Sequence, residues 1–210
     1  MKDLTTIKDG RWVWPIGCEH TWDHISSNDG LYTNILPYLK DTNVMVQAGG
    51  NCGRVMLPFL DKFQRIYTFE PDPLNFYCLA QNLTGSNVYK FQACLGNEHQ
   101  MVSLSNMFAH DNGAHYISGK GSIPTFMIDD LNLDDCNFIQ LDVEGFEYQA
   151  LLGGINTIKK YSPVICVEWY GPWGNRYNNT FESLNGLLLN LGYKMTHTND
   201  SDIIYVKAGE

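Results

Sequence analysis

Short runs of apolar, often β-branched residues alternate along the chain with longer stretches in which apolar positions recur at helical spacing. Runs of this length between polar or glycine-containing segments are typical of strands buried on both faces of a sheet. The pattern predicts six strands, at Val44–Ala48, Ile66–Glu70, Val88–Ala93, Phe138–Asp142, Val164–Glu168 and Ile203–Lys207. It predicts four helices between them, at Val55–Phe63, Pro73–Leu83, Glu147–Lys160 and Thr180–Leu191. This alternation predicts an α/β fold with a mostly parallel sheet and helices on both faces.

Two regions interrupt the alternation. Met101–Ser105 and Ile123–Leu131 have the pattern of additional strands, and the polar, glycine-containing segment His110–Gly121 lies between them. We interpret that segment either as a lid or substrate loop, or as an ordinary surface loop. No repeat or linker divides the chain, so we expect one domain over residues 1–210, with an N-terminal extension at 1–40 and the core at 41–210. The extension is rich in tryptophan and histidine, and we expect it to pack on the core.

Composition narrows the function classes. Of 210 residues, 44% are hydrophobic and 13% aromatic, which excludes a disordered chain. The formal net charge of −9 argues against a nucleic-acid partner, and no apolar run is long enough for a membrane helix. The six cysteines are scattered without a Cys-x-x-Cys pair, and Met1–Thr5 lacks the apolar core of a signal peptide. We therefore expect a cytoplasmic protein with reduced thiols, and a homo-oligomer is possible.

The strongest local motif is Val44–Gly53, a predicted strand that runs into a turn with glycines at 49, 50 and 53. Such a turn lets backbone N–H groups approach a ligand closely. The next predicted strand ends at Glu70, and an acid about 20 residues after the first glycine is where α/β nucleotide sites bind ribose hydroxyls. The alternative is a solvent-exposed glutamate at a strand end.

A third motif follows the predicted strand Phe138–Asp142. Asp142 and Glu144 lie two residues apart at the carboxyl end of that strand, where ligands bind in open α/β sheets. Both carboxylates could face the same crevice. The alternative is that one of them caps the following helix, which would stabilise the helix without any catalytic role.

These motifs, in this order, resemble the FkbM-type S-adenosylmethionine-dependent methyltransferases. The resemblance spans roughly residues 43–170 and rests on Val44–Gly53, Phe69–Pro73, Ala93–Gly96, Thr125–Leu131 and Leu141–Gly145. It implies a Rossmann-like class I methyltransferase fold, whose seven-stranded sheet is mostly parallel with an antiparallel final strand. It implies S-adenosylmethionine as the cofactor.

The resemblance also implies a role for individual residues. The turn would bind the methionine part of the cofactor, Glu70 with Pro71 its ribose, and Asp142 would lie near the sulfonium. Ala93, Cys94 and Leu95 would flank the adenine. The turn residues concerned are Gln47, Ala48, Gly49, Gly50, Asn51 and Gly53. Position 47 usually carries an acid in this family, and glutamine here replaces a charge-assisted contact with a neutral one.

The implied reaction is O-methylation of a hydroxyl on a sugar, a glycan or a small metabolite. Candidate bases are Asp142, Glu144, Glu168 and a histidine at 110 or 115. Trp169 and Trp173 are candidates for an aromatic wall beside the acceptor, and the alternative for Trp169 is packing in the core. A Mg²⁺ site built from Asp129, Asp130, Asp142 and Glu144 is conceivable, although no spacing requires it. Two alternatives stay open: a nicotinamide-dependent enzyme with the same strand–turn–acid layout, and a non-catalytic protein that binds the cofactor.

Overall fold

The secondary structure is that of an α/β protein, in a computed structural model that describes residues 1–26, 30–108, 111–199 and 201–209. The strands are β1 (Thr5–Lys8), β2 (Trp12–Pro15), β3 (Val44–Ala48), β4 (Arg65–Phe69), β5 (Val88–Phe91), β6 (Cys94–Leu95), β7 (Met101–Asn106), β8 (His115–Lys120), β9 (Ile123–Phe126), β10 (Phe138–Leu141), β11 (Val164–Glu168), β12 (Tyr193–Asn199) and β13 (Asp202–Lys207). The helices are α1 (Glu19–Ser26), α2 (Gly30–Ile35), α3 (Pro73–Asn82), α4 (Glu147–Leu152), α5 (Ile155–Tyr161), α6 (Gly171–Gly174) and α7 (Phe181–Asn190).

A seven-stranded sheet in the order β12-β13-β11-β10-β3-β4-β5 forms the centre of the molecule. The five strands from β5 to β11 in that order are parallel, and β13 runs antiparallel to β11. The predicted fold class is confirmed, and all six predicted strands are present with small differences at their ends. The seventh strand, β12, was not predicted because it pairs with only one neighbour and carries polar or exposed residues such as Lys194 and Met195.

Apolar side chains pack on both faces of this sheet. Val44 and Val46 of β3 belong to one hydrophobic cluster, together with residues of α4, α5 and α7. Met45, between them in sequence, belongs to a second cluster with residues of α2 and α3. Successive side chains of a strand point to opposite faces, so β3 contributes to both clusters and is buried along its whole length. The strand that leads into the glycine turn is therefore held rigidly.

The predicted helix at Val55–Phe63 is wrong. The chain forms a 3-10 turn at Arg54–Met56 and continues in further turns, with Phe59 N donating to Met56 O. Pro58 has no N–H, so an α-helical bond from that position cannot form. Of the apolar residues expected to face the core from this stretch, Phe59 and Phe63 are almost fully buried, whereas Leu57 is exposed.

The predicted helix at Glu147–Lys160 is two helices, α4 and α5, separated by Gly153 and Gly154. A Cβ atom at Gly153 would lie 1.9 Å from the main-chain oxygen of Gly96, so the chain there contacts another backbone directly. Gly153 O also accepts a hydrogen bond from Asp129 N instead of completing a continuous helix. This close approach interrupts the helix that the periodicity predicts.

A smaller sheet, β6-β9-β7-β8, lies beside the central one. β7 and β8 form an antiparallel hairpin. The prediction of a loop at 110–121 is therefore wrong for His115–Lys120, which is a strand because it pairs with β7. The predicted strand Ile123–Leu131 ends at Phe126 and is followed by a 3-10 turn at Ile128–Leu131, where Asp130 Oδ2 accepts from Met127 N.

The N-terminal residues contact the core through aromatic and polar side chains. Trp12, Trp14 and Trp22 are buried in a cluster with Cys18, Cys52 and Cys78. The Asn82 side chain of α3 bonds both the N–H and the carbonyl of Val13. All six cysteines are buried thiols outside any disulfide. Among the described residues, none of the helices combines the length and hydropathy needed to cross a bilayer.

Candidate active site

A cavity of about 240 Å³ lies at the carboxyl ends of the parallel strands. Each of five strands contributes lining residues from the segment where it ends or just beyond it, and the β7–β8 hairpin and α1 complete the wall. The residues from the strand ends are Ala48, Gly49, Asn51, Glu70, Pro71, Ala93, Cys94, Leu95, Asp142, Val143, Glu144 and Glu168. Most of the residues that the resemblance implies for cofactor binding therefore meet at one place.

The glycine turn after β3 packs directly against the end of β10. Gly49 has a φ of 84°, and a Cβ atom there would lie 1.9 Å from the main-chain oxygen of Asp142. Glycine is needed both for the left-handed backbone and for this contact. Gly50 faces the interior against Thr68, and Gly53 (φ 89°) begins the following 3-10 turn, so neither lines the cavity.

Gln47 lies beneath the turn rather than in the cavity lining. Its side chain is fully buried, and its Oε1 accepts a hydrogen bond from the hydroxyl of Thr68. Its Nε2 has no hydrogen-bond partner in the described part of the chain. A buried amide donor without a partner is costly, so this position is the least well satisfied part of the turn.

Glu70 joins the turn to the end of β4. It is 4% exposed, Oε2 accepts from Asn51 N at 2.7 Å, and Oε1 accepts from Asp72 N at 2.9 Å. Burial raises the pKa of Glu70 to about 8 despite these bonds. The carboxyl group faces both the turn and the cavity, so the alternative of a solvent-exposed strand-end glutamate does not hold.

We expect Glu70→Ala to weaken binding of the cofactor by about 1–3 kcal/mol, which is about 10- to 100-fold in Kd. The substitution would remove the acceptors that the resemblance assigns to the ribose hydroxyls, and it would leave Asn51 N without its partner. Calorimetric titration with S-adenosylhomocysteine measures the change, with the exposed Glu98→Gln as the matched control. An unchanged affinity of the Glu70 variant for S-adenosylhomocysteine would show that Glu70 does not bind the ribose.

Three asparagines connect the turn to the β7–β8 hairpin. The main-chain oxygen of Asn112 accepts from the side-chain amides of Asn51 and Asn75, at 2.9 and 2.7 Å. The Asn112 side chain in turn donates to Asn51 Oδ1 and Asn75 Oδ1. Thr21 of α1 bonds Asp111 Oδ1 in the same loop. The hairpin and α1 thus form a roof over the cavity, which sequence reasoning missed because these contacts join segments up to 90 residues apart.

Three carboxyl groups line the opposite end of the cavity. Asp142 and Glu144 follow β10, and Glu168 is the last residue of β11. Burial raises the pKa of Asp142 well above its ordinary value, and the facing carboxylates of Glu168 and Glu144 raise it further, with Glu168 also hydrogen-bonding it. Burial and Glu168 raise the pKa of Glu144 to about 9. The protonated forms of Asp142 and Glu144 are therefore favoured, because buried carboxylates that repel one another cannot all be ionised cheaply.

Glu147 holds the segment between Asp142 and α4. Its Oε1 accepts from Val143 N at 3.0 Å and from Gly145 N at 3.2 Å. Glu144 between them has a φ of 58°, an unusual value for a residue with a side chain. The N-cap of α4 is Phe146, so neither Asp142 nor Glu144 caps that helix. The cap alternative for these two carboxylates therefore fails, and the residue that stabilises the segment is Glu147.

The remaining candidates divide between the cavity and the scaffold. His115 lines the cavity, with Nε2 3.8 Å from Asp72 Oδ2, whereas His110 lies outside the described residues. Trp173 lines the cavity, and Trp169 packs against Phe181 of the core.

The magnesium hypothesis fails in its four-residue form. Asp129 bonds the main-chain N–H groups of Asn156 and Thr157 at the start of α5, and Asp130 bonds Met127 N. Neither lines the cavity beside Asp142 and Glu144. Within the described part of the chain, no three His, Cys, Asp or Glu side chains converge in a way that could hold a metal ion.

We expect the stability of the unliganded protein to fall as the pH rises from about 5 to about 9. Burial raises the pKa values of Glu147 to about 7, Glu70 to about 8 and Glu144 to about 9, from 4.5. In that window the unfolded chain loses these protons first, so unfolding becomes more favourable as pH increases. Urea denaturation across the range measures the slope. Glu147→Gln keeps the hydrogen-bond acceptor and should make the slope shallower, whereas the exposed Glu182→Gln should not; equal slopes in the two variants would contradict the assignment.

Comparison with known proteins identifies similar chains. Residues 41–195 match the family model described as the methyltransferase FkbM domain. No curated protein matches the sequence significantly. The solved structure of FkbM methyltransferase from Methylobacillus flagellatus is 21% identical, with a TM-score of 0.54 over 79% of this chain and 44% of that one. This chain thus spans less than half the length of that relative.

Two further solved structures share the fold at lower identity. Magnesium protoporphyrin IX methyltransferase from Synechocystis PCC 6803, solved with bound SAM, is 10% identical, with a TM-score of 0.51 over 88% of this chain and 80% of that one. Precorrin 8w decarboxylase from Methanobacterium thermoautotrophicum is 14% identical, with a TM-score of 0.52 over 86% and 90% of the two chains. These likenesses establish the class I fold.

Proposed function

The chain belongs to the FkbM methyltransferase family, whose cofactor is S-adenosylmethionine, and we propose that it methylates a hydroxyl group of a sugar, a glycan or a small metabolite. The observation that carries the proposal is the group of carboxyls at Asp142, Glu144 and Glu168, beside the glycine turn in one cavity. A neutral hydroxyl is a weak nucleophile and needs a proton acceptor at this point.

The cavity residues fit the cofactor. Gly49 leaves the main chain of the turn open to close approach, and Glu70 presents a buried carboxyl for hydroxyl groups. Ala93, Cys94 and Leu95 form a largely apolar edge suited to a flat base. The acidic end of the cavity suits a sulfonium cation. When bound, the cofactor supplies an activated methyl group with a neutral thioether as the leaving group.

The protein's own contribution is mainly orientation and exclusion of water. Correct alignment of reacting groups is worth about 7–11 kcal/mol, whereas a general base contributes about 10²–10⁴-fold in rate. The roof, formed by the β7–β8 hairpin and α1, covers the glycine turn on one side through the contacts of Asn112 and Thr21. Trp173 and Phe146 give the acceptor end apolar surface on which a sugar ring can pack.

The carboxyl of Asp142 is the base that we assign, with Glu168 as its partner. In the unliganded protein, burial and the facing carboxylate of Glu168 raise the pKa of Asp142 and so favour its protonated form. A positive charge nearby favours the ionised form and lowers that pKa. Asp142 thereby loses its proton to solvent, its oxygen accepts the proton of the acceptor hydroxyl, and Glu168 stabilises the protonated carboxyl of Asp142 by hydrogen bonding.

The test is methyl transfer from labelled S-adenosylmethionine to a panel of hydroxyl-bearing sugars and metabolites, followed by mass spectrometry of the products. We expect O-methylated products together with calorimetric binding of S-adenosylhomocysteine. Binding without transfer to any acceptor would favour the non-catalytic alternative. Binding of NAD in place of S-adenosylhomocysteine would favour a nicotinamide enzyme.

A further inference from the structure

More acidic side chains line the cavity than the cofactor's two positive groups can pair with. Five acidic residues line it, and no Lys or Arg is among the described lining residues. S-adenosylmethionine has two positive groups and one carboxylate, so it brings a net charge of only one. The five are Glu70, Asp111, Asp142, Glu144 and Glu168.

Four of these carboxyls already have partners in the protein. Glu70 accepts from two main-chain N–H groups, and Asp111 accepts from Thr21 Oγ1 and Gly113 N. Asp142 and Glu168 interact with each other, and Ser201 Oγ donates to Glu168 Oε1 at 2.9 Å. These groups are accounted for by the fold or by the proton transfer that we assign.

Glu144 is the exception. The residue lines the cavity and is 7% exposed, and its buried Oε2 has no hydrogen-bond partner among the described residues. The nearest guanidinium, that of Arg176, donates to the main-chain oxygen of Glu144 and stacks on Tyr116 at 3.7 Å. Its charge only partly offsets the repulsion that Glu168, Glu147 and Asp111 exert on the Glu144 carboxylate.

An unpaired buried carboxylate is costly, and a ligand that donates a charged hydrogen bond removes that cost. A neutral or anionic acceptor leaves Glu144 unpaired or protonated. A metal ion is disfavoured, because no three acidic side chains among the described residues are arranged to hold one. An organic cation fits, since a single ammonium group can reach Glu144 without requiring further ligands.

We propose that the acceptor bears a positively charged amine, which the carboxylate of Glu144 binds at the acceptor end of the cavity. This inference rests on the proposed function and specifies its substrate class: an amine-bearing sugar or metabolite that also has the hydroxyl to be methylated. Glu144 is then a specificity-determining residue, and the Asp142–Glu168 pair remains responsible for the proton.

The experiment compares three probes that share one sugar ring and differ in charge: D-glucosamine, D-glucose and D-glucuronic acid. Binding of each to the complex with S-adenosylhomocysteine is measured by calorimetry, and methyl transfer is measured separately. We expect glucosamine to bind about tenfold more tightly than glucose, which is the difference between one charged and one neutral hydrogen bond, and glucuronic acid to bind most weakly.

Two variants test whether Glu144 causes the preference. Glu144→Gln keeps the shape of the side chain and should abolish the discrimination between glucosamine and glucose, whereas the exposed Glu98→Gln removes the same charge elsewhere and should preserve it. Equal binding of the three probes, binding of none of them, or unchanged discrimination in Glu144→Gln would overturn the inference. If S-adenosylhomocysteine itself does not bind, the proposed function fails as well, so the two failures are distinguishable.

Discussion

We expect Asp142→Asn to lower the rate of methyl transfer by about 10²–10⁴-fold, which is the contribution of a general base. Asparagine has nearly the same shape as a protonated aspartic acid and can donate a hydrogen bond to Glu168, so the fold should persist. It cannot accept the proton of the acceptor hydroxyl. The loss should therefore fall on kcat, with a small change in the affinity for S-adenosylhomocysteine.

Single-turnover kinetics and calorimetry separate these two effects, and the exposed Asp61→Asn is the matched control. If the two carboxyls share one proton, Glu168→Gln should also lower kcat, and the double variant should lose much less than the product of the single losses. A variant at 142 that fails to fold, while Glu168→Gln folds and retains full activity, would show that Asp142 is only structural. A normal kcat in Asp142→Asn would show that Asp142 is not the general base.

Gly49→Ala should destabilise the protein by about 2–5 kcal/mol, the combined cost of a left-handed backbone and an overpacked contact. The added methyl group would lie 1.9 Å from the main-chain oxygen of Asp142, and backbone atoms of a buried strand end cannot yield easily. The turn and the end of β10 must then move apart. Since a displacement of about 1 Å can reduce activity by about 10²-fold, activity should fall at least that far in any folded fraction.

Gly10→Ala is the control that separates the backbone strain from the contact between position 49 and the main chain of Asp142. Gly10 also has a positive φ, of 70°, but a Cβ atom there would meet nothing within 4 Å. We expect it to cost only the backbone strain, about 1–2 kcal/mol, with normal activity. Urea denaturation of both variants measures the difference. Equal destabilisation by the two substitutions would mean that the contact between Gly49 and β10 contributes nothing.

Much of the fold follows from local sequence patterns. Val44–Ala48 and Val164–Glu168 are strands with the predicted bounds, because continuous apolar runs of that length have few alternatives in an α/β chain. Thr180 caps α7 with its hydroxyl, as a threonine before a helical pattern indicates. Where the predictions failed, at Pro58 and at Gly153–Gly154, a residue that breaks helices lay inside the apolar periodicity and its effect was underestimated.

The sequence predicted those residues of the site that lie at or just after the end of a strand. Gly49, Glu70 and Asp142 each come at or just after the end of a strand, and parallel strands bring their carboxyl ends together. Gln47 also lies near the end of a strand, but it does not line the cavity. The alternation of side chains along β3 directs its side chain toward Thr68. The roof residues Asn112 and Thr21 have no local signal at all.

By itself, the amino-acid sequence determined which candidate site residues follow which predicted strand. These are a glycine turn, an acid at 70 and a pair of acids at 142 and 144. Those features depend on spacing and residue type within a few positions, which a sequence displays directly. Only the tertiary structure decided that Glu168 faces Asp142 and that Glu147 supports the segment between Asp142 and α4. It alone also decided that Glu144 Oε2 is buried with no hydrogen-bond partner among the described residues. Burial and charge repulsion depend on distances between segments far apart in the chain, so the chemistry of these carboxyls exists only once the sheet has assembled.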